Sequence, residues 1–245
     1  MKLWYSFRIA LAAVACLCLL LAVSANADEV DTFVEKKMAE ANIPGVAVVV
    51  VKGGTVIKRS GYGVASIEFD VPVTTQTVFE IGSVSKQITA AGIMLLVEDG
   101  KINLDDKISK YLIDVPDSWG MVTVRHLLTH TSGIKNHTRI GGLKLYRDDA
   151  AEDFIGELGN YPLDFEPGSR YRFSESGYIL LGYIIESASE INYWEFLRER
   201  IFSPLNMKQT ADRDPQFIIK NRATGYIWNG DRLTGRDSEF ADLFS

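Results

Sequence analysis

Between Ala90 and Val97 the chain is apolar on nearly every side of a helix: Ala90, Ala91, Ile93, Met94, Leu95, Leu96 and Val97 crowd into two turns. A helix of this kind needs cover all round, so the spacing predicts an element buried at the centre of a domain, running from Ser83 to about Asp99 and stopped by Gly100. Its first turn is not apolar. Ser83-Val84-Ser85-Lys86 sets a hydroxyl and an amine three residues apart, on one helical face and within reach of proton exchange. That pair is the minimal equipment of a Ser-Lys acyl-transfer enzyme. A plainer alternative makes Ser83 an N-cap and Lys86 a solvated cation. Position favours chemistry: a lysine at the head of so apolar a helix is hard to solvate. Burial would favour a neutral amine able to accept the Ser83 proton.

The flanking sequence mixes helices with few strands. Asp28 to Asn42 has Val30, Phe33, Val34 and Met38 on one side of a helix that Pro44 and Gly45 stop. The β-branched run Val46 to Lys52, then Gly53-Gly54, then Thr55 to Arg59 reads as a hairpin. Phe69 to Phe79 is extended and rich in turns. Helical patterns follow at Val124 to His130, Arg147 to Leu158, Ser176 to Ala188 and Asn192 to Ile201. Beyond Pro204 the pattern weakens, and residues 229–238 are polar. One convincing hairpin cannot cover a buried helix. Further strands must hide in weakly patterned sequence or lie outside this chain.

Residues 1–27 read as a secretory signal peptide. Lys2 and Arg8 precede the apolar run Ile9 to Val23, and Ala25-Asn26-Ala27 supplies a small-x-small cleavage site. An uncleaved leader anchoring the chain in a membrane is the alternative, although the run is short for a span. A lipoprotein would need Cys16 or Cys18, neither with suitable neighbours. Both cysteines lie in the leader, so the exported residues 28–245 would rely on their core rather than a disulfide. Loss of Lys2 and Arg8 takes the net charge from −6 to −8. An acidic chain without a basic cluster argues against nucleic acid as partner, and no stable membrane span is expected once the leader is gone.

Five further stretches carry a resemblance: Pro44 to Val50, Phe79 to Lys86, Val124-Arg125-His126-Leu127-Leu128-Thr129-His130-Thr131-Ser132-Gly133-Ile134, Gly177-Tyr178-Ile179-Leu180-Leu181-Gly182, and Pro204-Leu205-Asn206-Met207. In this order they resemble the serine β-lactamase-like family, which includes class C β-lactamases, D-alanyl-D-alanine carboxypeptidases and related esterases. The resemblance spans about Asp28 to Tyr226. It implies an α/β (α+β) fold in which an antiparallel sheet is flanked by helices beside a mostly helical subdomain. It implies Ser83 as the acylated nucleophile, Lys86 as its proton partner, and a small-molecule or cell-wall peptide substrate such as a β-lactam, a D-alanyl peptide or a small ester. No cofactor is implied, and the oligomeric state is open.

Two departures stand out. The family's Tyr-x-Asn motif precedes a Gly-Tyr pair by fixed steps, and Gly177-Tyr178 sets the register. Phe173 therefore stands in the tyrosine's place and Glu175 in the asparagine's. Phe173 has no proton to give or take, and loss of a general acid–base group typically forfeits about two to four orders of magnitude. Glu175 has three readings: a solvated or salt-bridged carboxylate, a substitute base, or a partner that holds Lys86 charged and so makes it a poor base. Tyr171 is two residues out of step. The third family motif, a cation followed by a small residue and Gly on a late strand, has only a superficial likeness in Leu233-Thr234-Gly235. The late strands are thus expected to be missing, leaving residues 28–245 a hydrolase domain incomplete at its C-terminus. His126 and His130, four apart, suggest a metal pair, but Leu127 stands where a zinc peptidase needs Glu and no third ligand is in view. No metal is expected. The leading reading is an exported serine hydrolase. The alternative is an impaired homologue or fragment that binds without turnover.

Overall fold

The computed structural model describes residues 28–141, 151–213 and 218–235. Residues 1–27, 142–150, 214–217 and 236–245 lie outside them. The chain divides into two units, one of residues 1–77 and 226–234, the other of residues 78–225 and 235–245.

The first unit begins with helix α1, Glu29–Ala41. Asp28 caps it: its carboxylate accepts from the Asp31 N–H, and the Asp31 carboxylate accepts from the Asp28 N–H, each at 2.9 Å. Asn42 ends it in the left-handed region at φ 53°. The expected apolar stripe is only partly used. Val34 is buried while Phe33 is 60% exposed. Strands β1 (Gly45–Lys52) and β2 (Thr55–Ser66) form the expected antiparallel hairpin. Lys52 pairs with Thr55, so Gly53 and Gly54 are the whole loop, at φ 56° and 76°. Two consecutive positive φ values are what a type I′ turn demands. Lys58 on β2 reaches Asp28 (2.8 Å) and Asp31 (2.6 Å), holding both carboxyls below the usual range and fastening the head of α1 to the sheet. β3 (Val71–Pro72) adds a short third strand.

Two strands emerge where the sequence is polar. β4 (Tyr226–Trp228) and β5 (Leu233–Gly235) form a separate ribbon. The Asn229 side chain accepts from the N–H groups of Asp231 (3.0 Å) and Arg232 (2.9 Å), closing the turn locally. Leu233-Thr234-Gly235, set aside above as a superficial likeness, is the second strand of this ribbon.

The second unit is helical. A 3₁₀ turn, Gly82–Val84, leads into α2, Ser85–Glu98. Then come α3 (Val124–Leu128), α4 (Ala151–Gly159), α5 (Glu175–Ser189) and α6 (Tyr193–Leu197), the last continuing as a π turn, Arg198–Phe202. The expected start of α4 at Arg147 falls outside the described residues. Ile93, Leu96, Leu127, Phe154, Ile184 and Phe196 are fully or almost fully buried in one core. Gly92 lets α2 approach α5 and α6: a Cβ there would lie 3.0 Å from Ile185 and 3.3 Å from Leu197 and Phe196. The centre-of-domain expectation for α2 holds on one face only. Ser85, Thr89, Gly92, Ile93 and Leu96 are buried, whereas Met94 is 47% exposed among the described residues. Its apolar character is therefore a two-sided pattern with one side in contact.

Within the buried face Thr89 Oγ1 and the Tyr193 hydroxyl share a 2.7 Å hydrogen bond between α2 and α6. Burial pushes the Tyr193 hydroxyl up to about 12. Tyr193→Phe should lower unfolding free energy by about 1–2 kcal/mol, because a buried threonine hydroxyl loses its shorter partner. Urea denaturation, with an unchanged m-value, checks this.

Candidate active site

The two serines of Ser83-Val84-Ser85-Lys86 have different fates. Ser85 is buried and donates its hydroxyl hydrogen to the Gly82 carbonyl at 2.7 Å, closing the 3₁₀ turn. Ser83 is exposed on that turn. Gly82 takes φ 49°, a left-handed conformation that glycine adopts without steric cost. The turn thus lifts Ser83 out of the helix ladder while Lys86 sits in the first turn of α2. The Lys86 Nζ lies 3.4 Å from Ser83 Oγ, as the three-residue spacing predicts.

Lys86 has a second partner. The Glu175 carboxylate, at the first residue of α5, forms an ion pair with Nζ, and both side chains are about five-sixths buried, with 15% and 17% of their surface exposed. Glu175 is a salt-bridged carboxylate, and its partner is Lys86. A lysine in such a pair is an ammonium, with no lone pair available until it passes a proton on. Two rings flank the same nitrogen: Phe173 at 5.6 Å and Tyr178 at 5.7 Å from their centroids. Aromatic faces also favour the cation.

Neither nearby tyrosine replaces the one absent at Phe173. Tyr178 gives its hydroxyl hydrogen to the Leu128 carbonyl at 3.1 Å, and burial raises its pKa. Tyr171 is 69% exposed and meets His130 edge-on at 5.9 Å.

Residues 164–174 form a strap that carries Phe173 to Lys86. Asp164 N–H donates to the Gly133 carbonyl (2.8 Å), Gly168 N–H to Thr131 (2.8 Å), and Arg172 N–H to His130 (2.9 Å). Gly133 allows the close approach at φ 78°, where a Cβ would lie 2.1 Å from the Phe165 carbonyl oxygen. Lys135 (2.5 Å) and Arg172 (2.7 Å) both bind Asp164, and Lys135 above all holds its carboxyl below the usual range.

The two histidines do not form a metal pair. α3 ends at Leu128, and His130 turns left-handed at φ 56°. His126 instead completes a capping box: its Nδ1 accepts from the Thr123 N–H at 3.2 Å, and its own N–H donates to Thr123 Oγ1 at 3.3 Å. Among the described residues no group of three or more His, Cys, Asp or Glu could hold a metal ion. No helix among them is long and apolar enough to cross a membrane.

A family model described as Beta-lactamase matches residues 30–242. The chain belongs to the beta-lactamase family. Penicillin-binding protein 4* of Bacillus subtilis (strain 168) is 33% identical over 189 residues, which are 74% of this family member and 42% of that protein. Among solved structures, the octameric penicillin-binding protein homologue from Pyrococcus abyssi superposes with a TM-score of 0.72 at 32% identity, covering 86% of this chain and 50% of that one. The D-amino acid amidase from Ochrobactrum anthropi SV3 complexed with L-phenylalanine amide gives 0.69 at 29%, covering 80% and 56%. The chain spans under half the length of the curated relatives it matches. The α/β β-lactamase-like fold expected from the sequence is therefore the one observed.

Sequence pattern identified Ser83, Lys86, Phe173 and Glu175 and missed His130 and Tyr178 as neighbours of the amine. Tyr178 had been used only to set the register. A double-mutant cycle with Lys86→Met and Glu175→Gln should give a coupling energy of about 1–3 kcal/mol between the two side chains. Denaturant unfolding of the four proteins measures it.

Proposed function

We propose that this chain is an exported serine hydrolase domain that forms an acyl-enzyme at Ser83 with ester substrates, and with amides far more slowly. The observation that carries the reading is the 3.4 Å approach of Lys86 Nζ to an exposed Ser83 Oγ at the head of a helix. Similarity to a penicillin-binding protein and a D-amino acid amidase supports carbonyl substrates attacked by this serine. The charged leader residues Lys2 and Arg8 ahead of Ile9 to Val23 support export.

Acylation begins from the paired ammonium. Lys86 passes a proton to Glu175 and takes the Ser83 hydroxyl hydrogen as Oγ bonds to the carbonyl carbon. The Ser83 backbone N–H, in the turn before α2, faces the developing oxyanion in this scheme. When the tetrahedral centre collapses, the carbon–leaving-group bond breaks, the departing oxygen takes a proton from Lys86, and Glu175 gives its proton back to Lys86. An alkoxide leaves with little acid assistance, whereas an amine must be protonated first. Phe173 supplies no proton for that step, so esters are favoured. Glu175 takes the place of the family's asparagine and serves as the proton's resting point.

One observation favours a second reading, in which the protein binds without turnover. The Lys86–Glu175 ion pair opposes the proton transfer that acylation needs. The two readings separate cleanly in solution. An alkyl fluorophosphonate should label the folded protein at Ser83 and leave Ser83→Ala unlabelled. Absence of label on compact wild-type protein would leave the binding reading. Phe173→Tyr combined with Glu175→Asn should raise amide hydrolysis by roughly two to four orders of magnitude. Equal amide rates before and after would count against the role given to Phe173.

A further inference from the structure

His130 accounts for an arrangement that the reaction scheme uses but does not explain. Its ring packs on Phe173 at 4.8 Å and on Tyr178 at 5.1 Å, the same two rings that flank Lys86. Its Nδ1 accepts from the Ser174 N–H at 3.3 Å, and its carbonyl accepts from the Arg172 N–H at 2.9 Å. One residue therefore grips the strap on both sides of Phe173, immediately before Glu175. Ser174 caps α5 without using its side chain, whose oxygen is buried with no hydrogen-bond partner among the described residues. The grip on Ser174 thus runs through its N–H, and that N–H needs an acceptor.

Resting on the Ser83 acylation reading, we infer that His130 is a positioning residue: its neutral imidazole, accepting at Nδ1, holds Phe173 and Glu175 against Lys86, and a proton on the ring releases them. Only an unprotonated Nδ1 can accept. The imidazolium donates at both nitrogens, so it loses the Ser174 bond and sets a second positive charge near Lys86. The titratable groups facing the ring are Lys86 on α2, Glu175 and Tyr178 on α5, and Tyr171 on the strap. Burial chiefly, and the Lys86 charge next, hold the imidazole below its ordinary 6.5, while Glu175 and the backbone hydrogen bond with Ser174 oppose them. The sign follows. Above about 6.5 both folded and unfolded chains carry a neutral ring. As pH falls the unfolded chain binds the proton first, so the contribution of His130 is complete near neutrality and is lost through its depressed pKa.

The position also names its own conservative replacement. At φ 56° asparagine is among the residues best tolerated, and its side-chain oxygen can accept from Ser174 without titrating. The experiment follows fluorophosphonate labelling rates of the full chain from pH 4.5 to 8 for wild type, His130→Asn and His130→Phe, with near-UV circular dichroism reporting compactness. Wild type should lose labelling as pH falls through a midpoint below 6.5. His130→Asn should keep labelling within roughly tenfold at pH 8 and lose that midpoint. His130→Phe keeps the ring but not the acceptor, and should fall roughly tenfold to a hundredfold at every pH. An acid limb unchanged in His130→Asn would overturn the proposal, as would wild-type rates in His130→Phe. Wild-type protein that never labels would instead sink the hydrolase reading. The inference is then decided by NMR: the Ser174 amide proton should titrate together with the His130 ring, and an amide shift flat across that transition refutes it.

Discussion

An ammonium and a carboxylate five-sixths buried must find each other, and in the second unit they do so because two helices begin at one place. The crossing of α2 with α5 at Gly92 and Ile185 sets that geometry. Lys86 opens one helix and Glu175 the other, and their ion pair closes the gap between the two first turns. Once it is made, the rings of Phe173 and Tyr178 have a cation to cover, and Ser83 has an amine to face. Breaking such a pair from one side strands a charge in a largely desolvated pocket, which is costlier than never having had the pair.

On the proposed reading, the same arrangement keeps the Ser83–Lys86 pair while changing what surrounds the amine. Tyrosine and asparagine would leave Lys86 a network of neutral partners. Phe173 and Glu175 give it a hydrophobic face and a full negative charge. The substitutions are complementary in electrostatic terms: one withdraws a polar partner and the other replaces it with a stronger one. They hold the amine in place between a carboxylate and two rings.

Helical spacing made the Ser83–Lys86 approach legible, since three residues along a helix leave little freedom. The register fixed by Gly177-Tyr178 made Phe173 and Glu175 legible as departures. Gly53-Gly54 between β-branched runs announced the hairpin. What escaped was set by distant contacts. His130 was read as part of a helix and stands instead in a left-handed turn, because residues 164–174 run alongside it and demand its carbonyl and its ring nitrogen. β4 and β5 are short and flank a polar turn that depends on one asparagine side chain rather than on alternation. The exposed side of α2 escaped because composition counts apolar residues without saying which of them meet a neighbour.

Ser83 belongs to a tight three-residue turn, while the helix proper starts two positions later. The hydroxyl of Ser85 closes that turn on the Gly82 carbonyl. The hydroxyl and the amine are thus carried by two different windings, and the direction in which Ser83 faces is set by three residues rather than by the long cylinder behind them.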